Sequence, residues 1–214
     1  MKKIALIVMV LFAACVVTTL NAEATPLIDG CTNFQKYIGT TRYFNADVWW
    51  AVYEPGNATN PLGTKTDYTY LYQIKNVDGL SNDQALTMFG VLNENGGHIT
   101  DGAFTNSFNL DDLFTTTYDL SGTVAPINGY YGTGLNCAYW DFSGANAIPG
   151  GSTSYVLWFT ALESPTWVSG NITAGGTSQN ESLPGPAPEP ASMALLGLGL
   201  VGMAGRTIIK KFKA

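Results

Sequence analysis

The sequence predicts an all-β protein whose body is a single antiparallel β-sandwich of Greek-key or jelly-roll type. Only 12% of the 214 residues are charged, whereas Thr, Asn, Gly and aromatic residues are plentiful. β-branched and aromatic side chains favour strands, and Gly and Asn favour turns. Apolar residues of the body also alternate with a period of two, and no segment between the two termini keeps a helical period.

Seven segments have the composition and length of strands, and turn-forming clusters such as Pro55-Gly56-Asn57 separate them. They are residues 47–53, 66–75, 85–92, 113–118, 135–142, 153–161 and 166–173. The second segment places Tyr68, Tyr70, Tyr72 and Ile74 on one face and mostly polar residues on the other, which predicts a half-buried strand. Short strands with this punctuation indicate a two-sheet sandwich.

The N-terminus has the pattern of a secretory signal peptide. Two lysines precede the apolar run 4–17, and small residues occupy the two positions that a signal peptidase reads, Ala22 and Ala24. We therefore expect cleavage after Ala24, which removes the first 24 residues. A lipoprotein signal that uses Cys15 is the alternative.

Removal of the signal peptide leaves two cysteines, Cys31 and Cys137. An even number of cysteines in an exported chain predicts a disulfide. The alternative is a pair of unbonded thiols, because the sequence does not show that the two residues meet.

The predicted ectodomain, residues 25–173, and the Gly/Ser/Pro-rich residues 174–187, predicted to be a flexible linker, make up the mature body. This body is strongly acidic. It holds four basic residues against fourteen acidic ones, a net charge of −10. Such a charge argues against binding to nucleic acid or to anionic lipid.

The body carries little that points to catalysis or to a cofactor, and we expect neither. Its one histidine, His98, lies in a glycine-rich stretch that is typical of a solvated loop. The adjacent carboxylates Asp111 and Asp112 would point to opposite faces of a strand and not converge on one bond. Calcium is an alternative near His98, where three side chains offer oxygen ligands: Asn93, Asn95 and Asp101.

Aromatic residues exceed what one face of a small core needs. Exposed flat aromatics beside Asn and Asp suit stacking against sugar rings, whereas buried ones serve packing. The candidates for sugar stacking are Trp49, Trp50, Trp140, Trp158 and Trp167.

The C-terminus, residues 188–214, combines three features in order. Pro188-Glu189-Pro190 precedes an uncharged apolar run, which Arg206 and three lysines follow. The run predicts a transmembrane helix over about residues 191–209, with its basic end in the cytoplasm. An ordinary tail-anchoring helix is the alternative.

These features resemble the PEP-CTERM sorting signal of Gram-negative bacteria. The resemblance implies recognition of Pro188, Glu189, Pro190 and Arg206 by an exosortase, a membrane-embedded cysteine transpeptidase, and a link to exopolysaccharide production. It predicts an exported protein that pauses in the inner membrane before it reaches the cell surface or extracellular matrix. We expect a non-enzymatic structural role associated with exopolysaccharide and biofilm. The alternatives are a carbohydrate-binding module and, less favoured, a secreted glycan-active enzyme.

Overall fold

The computed structural model of the chain describes residues 26–77, 84–92, 99–108, 110, 123–131 and 137–187. These residues form ten strands and one short 3-10 turn, Gly144–Asn146. The strands are β1 (Ile28–Ile38), β2 (Thr41–Tyr53), β3 (Tyr68–Asn76), β4 (Leu86–Leu92), β5 (Ile99–Thr105), β6 (Asn128–Tyr130), β7 (Cys137–Asp141), β8 (Val156–Ala161), β9 (Pro165–Ala174) and β10 (Thr177–Pro186).

Two five-stranded antiparallel sheets contain all ten strands. Sheet one has the order β1-β2-β3-β8-β5, and sheet two has the order β10-β9-β4-β7-β6. The chain crosses between the sheets at β3–β4, β4–β5, β5–β6, β7–β8 and β8–β9. The predicted all-β class is thus confirmed for the described residues. Greek keys and jelly rolls both contain such crossings, so the choice between them stays a prediction.

Buried aromatic side chains fill the space between the sheets. Tyr72 of β3 lies with its ring centroid 5.6 Å from Phe89 of β4 and 6.4 Å from Trp140 of β7. Phe89 and Trp140 stack on each other at 5.9 Å. Contacts of this kind each stabilise by about 0.5–1.5 kcal/mol beyond their buried area. Because strand side chains alternate, the neighbours of these residues point outward from the two sheets.

The outward face of sheet one is covered by the chain itself. Leu62 and Leu110 pack on it, and two buried hydrogen bonds hold the covering segments in place. The Leu110 amide donates to Oε1 of Gln73 at 2.9 Å, and Nδ2 of Asn60 donates to Oγ1 of Thr69 at 2.8 Å. Strand β3 is therefore buried on both faces, and the prediction that it is half-buried is wrong.

The periodicity located six of the seven predicted strands. They correspond to β2, β3, β4, β7, β8 and β9, and the seventh, residues 113–118, lies outside the described residues. Four strands were not predicted: β1, β5, β6 and β10.

Most of the residues predicted to form a flexible linker form strand β10 instead. Residues 177–186 pair with β9 along their whole length, from Thr177 opposite Ala174 to Pro186 opposite Pro165. Beyond them the Ala187 amide donates to the Ser164 carbonyl at 2.9 Å. The folded body thus continues to the residue before the sorting motif, and most of the predicted flexible stalk is an edge strand.

Candidate functional site

Most of the tryptophans proposed for sugar stacking are packing residues. Trp140 is fully buried, and Trp50 and Trp158 are only 6% and 9% exposed. Trp49 is partly buried against the cluster that covers sheet one. The stacking prediction therefore does not hold for these four residues. Trp167 alone of the five is open to solvent, with 62% of its surface exposed.

Two tyrosines, Tyr130 and Tyr139, lie on the outward side of sheet two, here called the open face. One row of paired residues crosses all five strands: Asn180, Asn171, Gly90, Tyr139 and Tyr130, from β10 to β6. Tyr130 and Tyr139 stack with ring centroids 4.5 Å apart, and Tyr130 is 42% exposed. At the other end of the row Nδ2 of Asn171 donates to Oδ1 of Asn180.

A groove of about 320 Å³ lies along the middle of the open face. Gly90 is among its lining residues, and Tyr139 and Asn171 are its paired neighbours on the flanking strands. The remaining lining residues are Met88, Leu92, Cys137 and Ser169. Ser169 also lines an adjoining polar depression of about 350 Å³, which Trp167 borders. The two hollows, which share Ser169, are here together called the track, and its lining is mainly apolar on β4 and β7 and mainly polar on β9 and β10.

Trp167 is supported at the edge of this track by the core. Its ring meets the ring of Trp50 edge to face, with centroids 5.5 Å apart and an angle of 87° between the planes. Nε1 of Trp50 in turn donates to Oγ1 of Thr32 at 3.2 Å. This contact with the buried ring of Trp50 fixes the position of the exposed ring of Trp167.

Charge is divided unequally between the sheets. All four basic residues of the body lie on or beside sheet one: Lys36, Arg42, Lys65 and Lys75. The strands of sheet two carry two acidic residues, Asp141 and Glu181, and no basic one. The described strands that form the open face therefore carry no cationic side chain to attract an anionic group.

Cys31 and Cys137 do not form the predicted disulfide. Both thiols are unbonded in the structure. Cys31 lies on β1 opposite Trp49, at an outward position of sheet one, whereas Cys137 lines the groove on the open face. Since the two sheets lie between these positions, the bond cannot form within one body. Burial, with a contribution from Asp47, raises the pKa of Cys31 to about 12, and burial raises the pKa of Cys137.

Two carboxylates share a small pocket beside sheet one. Asp67 and Asp101 line a hollow of about 250 Å³. Asp67 accepts a hydrogen bond from Oγ1 of Thr100 at 2.6 Å, and Asp101 accepts one from the Gly102 amide at 2.8 Å. Each carboxylate is thus held by the fold. The other candidates for catalysis or calcium binding lie outside the described residues: Asn93, Asn95, His98, Asp111 and Asp112.

The predicted signal peptide and membrane segment also lie outside the described residues. Within the part of the chain that the structure describes, no helix has the length and apolar character needed to cross a membrane.

The comparison with known proteins identifies a family motif at the C-terminal end of the chain. Residues 186–211 match the family model described as the PEP-CTERM protein-sorting motif. No curated protein and no solved structure matched the chain. The matched residues begin at the last position of β10, so the motif follows the folded body directly. The chain therefore ends in a PEP-CTERM sorting motif, which supports its assignment as an exported protein that an exosortase sorts to the cell surface.

Proposed function

We propose that the mature protein is a non-catalytic component of the cell surface or extracellular matrix that associates with exopolysaccharide. The sorting motif supports export and handling by exosortase. The acidic body, with a net charge of −10, argues against nucleic acid or anionic lipid as the partner. Exopolysaccharide is the partner that the resemblance to PEP-CTERM proteins implies.

The open face favours the carbohydrate-binding form of this proposal over a purely structural one. The observation that supports it is the exposed aromatic set on one sheet, namely the stacked pair Tyr130 and Tyr139 together with Trp167. Aromatic rings pack against the apolar faces of sugars, and a few polar groups beside them fix orientation. Asn171 and Asn180 supply such groups in the same row.

Binding is tested by affinity electrophoresis of the mature protein in gels that contain the exopolysaccharide of the producing cells. We expect retardation that Trp167→Ala weakens. The matched control is Tyr37→Ala, which removes another exposed aromatic, located near the end of β1 in sheet one. Equal retardation of both variants would remove the open face from the proposal. Release of reducing sugar by the purified protein would place it among the glycan-active enzymes.

A further inference from the structure

Gly90 lies within β4, where glycine is unfavourable. A glycine inside a strand lacks a side chain to pack and lowers stability, and it often marks a place where another molecule approaches closely. The backbone does not need it, because Gly90 is not among the residues with a positive φ angle. A Cβ atom built on Gly90 would lie 3.5 Å from Cβ of Tyr139 and 3.6 Å from the Ala138 carbonyl, which are ordinary contacts.

Other glycines within the strands have a steric reason that Gly90 lacks. A Cβ atom on Gly170 would come within 2.4 Å of Leu183, and one on Gly185 within 2.4 Å of Val168. The same construction on Gly102 meets the ring of Tyr131 at 2.8 Å. Packing between the sheets explains these residues. At Gly90 none of the described residues excludes a side chain, and the glycine lines the groove.

The surroundings of Gly90 indicate which chemistry fits above it. Tyr139 is its neighbour on one side and Asn171 its neighbour on the other, so an aromatic ring and an amide flank the gap. The charged side chains on the strands of this sheet are acidic, Asp141 and Glu181. A polymer rich in carboxylate or sulfate groups would be repelled here, whereas an uncharged ring with hydroxyl groups at its rim would not.

We propose that Gly90 forms the floor of a sugar-binding subsite, and that the open face binds uncharged glycan chains in preference to acidic ones. One ring lies flat over Gly90 beside Tyr139, with its hydroxyl edge toward Asn171. This inference rests on the proposed carbohydrate-binding function, and it adds the class of ligand and the residue that admits it.

The test uses the mature protein in three forms: wild type, Gly90→Val, and Ser178→Val as the matched control. Ser178 is an exposed residue of β10, paired with Thr173, and does not line the groove. Valine suits an exposed strand position, and thermal melting shows that each variant is folded. Affinity electrophoresis is run in uncharged gels (hydroxyethyl cellulose, dextran and galactomannan) and in anionic gels (carboxymethyl cellulose, alginate and polygalacturonate).

We expect wild type and Ser178→Val to be retarded by at least one uncharged polymer and not by the anionic ones. Gly90→Val should bind the same polymer at least ten-fold more weakly. Unchanged binding by Gly90→Val would overturn the subsite but leave the proposed function standing. Binding to the anionic polymers alone would overturn the proposed ligand class and also leave the proposed function standing. Absence of binding to every polymer would overturn this inference, whereas the proposed function fails only if the gel that contains the cells' own exopolysaccharide does not retard the protein. A dimer of the wild type that Gly90→Val dissociates would show instead that the face joins two copies of the chain.

Discussion

Gly90→Ala should stabilise the protein, because the fold does not use the missing side chain. The new methyl group would meet its nearest neighbours at 3.5 and 3.6 Å, so no atom has to move. Replacing glycine by alanine within a strand gains about 0.5–1 kcal/mol, mainly by restricting the unfolded chain. For a domain of this size that corresponds to a rise in Tm of about 1–4 °C.

Gly170→Ala is the control, because it makes the same change on the neighbouring strand β9. Its methyl group would lie 2.4 Å from Cδ1 and 2.9 Å from Cγ of Leu183, so side chains in the core must shift. Overpacking of this kind destabilises by about 1–3 kcal/mol. Differential scanning calorimetry of wild type and both variants measures the two effects. If Gly90→Ala lowers Tm as Gly170→Ala does, Gly90 has a structural role and the argument that it is kept open for a ligand fails.

Three further predictions concern tyrosine hydroxyls and cysteine thiols. The Tyr53 hydroxyl is buried with no hydrogen-bond partner among the described residues, whereas the Tyr72 hydroxyl donates to the Pro184 carbonyl at 2.5 Å. In urea titrations we therefore expect Tyr53→Phe to be neutral or stabilising and Tyr72→Phe to cost about 1–3 kcal/mol; the reverse order would contradict the assignment. Burial, and secondarily Asp29, raises the pKa of Tyr53 to about 12. Because the phenol ionises more readily in the unfolded chain, the free energy of unfolding should be unaffected by this group below pH 10 and should fall between about pH 10 and 12. Alkaline unfolding followed by circular dichroism measures this fall, and a loss already at pH 8 would contradict it. Cys31 and Cys137 should both alkylate in denaturant without a reductant, and mass spectrometry that finds neither labelled would restore the disulfide.

Alternation in the sequence was sufficient for strands that are regular and apolar on one side. Tyr68, Tyr70, Tyr72 and Ile74 stand at alternate positions, and β3 forms where they predict it. The same pattern did not reveal that the other face of β3 is buried as well. Covering segments such as the one at Leu110 come from distant parts of the chain, and local periodicity carries no information about them.

Strand β10 was missed because its composition is that of a linker. It contains Pro184, Gly185 and Pro186, which normally interrupt a sheet. Proline is tolerated on an edge strand, where one side of the backbone makes no ladder hydrogen bonds, and β10 is the edge of sheet two. Whether a strand lies at the edge of a sheet depends on the tertiary fold, so the local sequence of β10 could not predict it.

The open face could not be predicted from the sequence either, since tryptophan content alone does not say which rings are exposed. Trp140 and Trp167 look alike in the sequence, but one is fully buried and the other is 62% exposed. The signal that was present is Gly90, a glycine inside a predicted strand, between Met88 and Leu92 on the same face. The predicted disulfide failed for a similar reason, because counting cysteines does not place them on the same side of the molecule.

The C-terminal motif directs sorting by exosortase, and Glu189→Ala tests this claim most directly. Glu189 is the polar residue between the two prolines of the matched motif. Glu181→Ala, which removes a carboxylate from the body on β10, is the matched control. Cell fractions are compared by immunoblotting. We expect wild type and Glu181→Ala at the cell surface or in the medium, and Glu189→Ala retained at full length in the inner membrane. If Glu189→Ala reaches the surface as the wild type does, the motif does not direct sorting and the segment acts as a plain tail anchor.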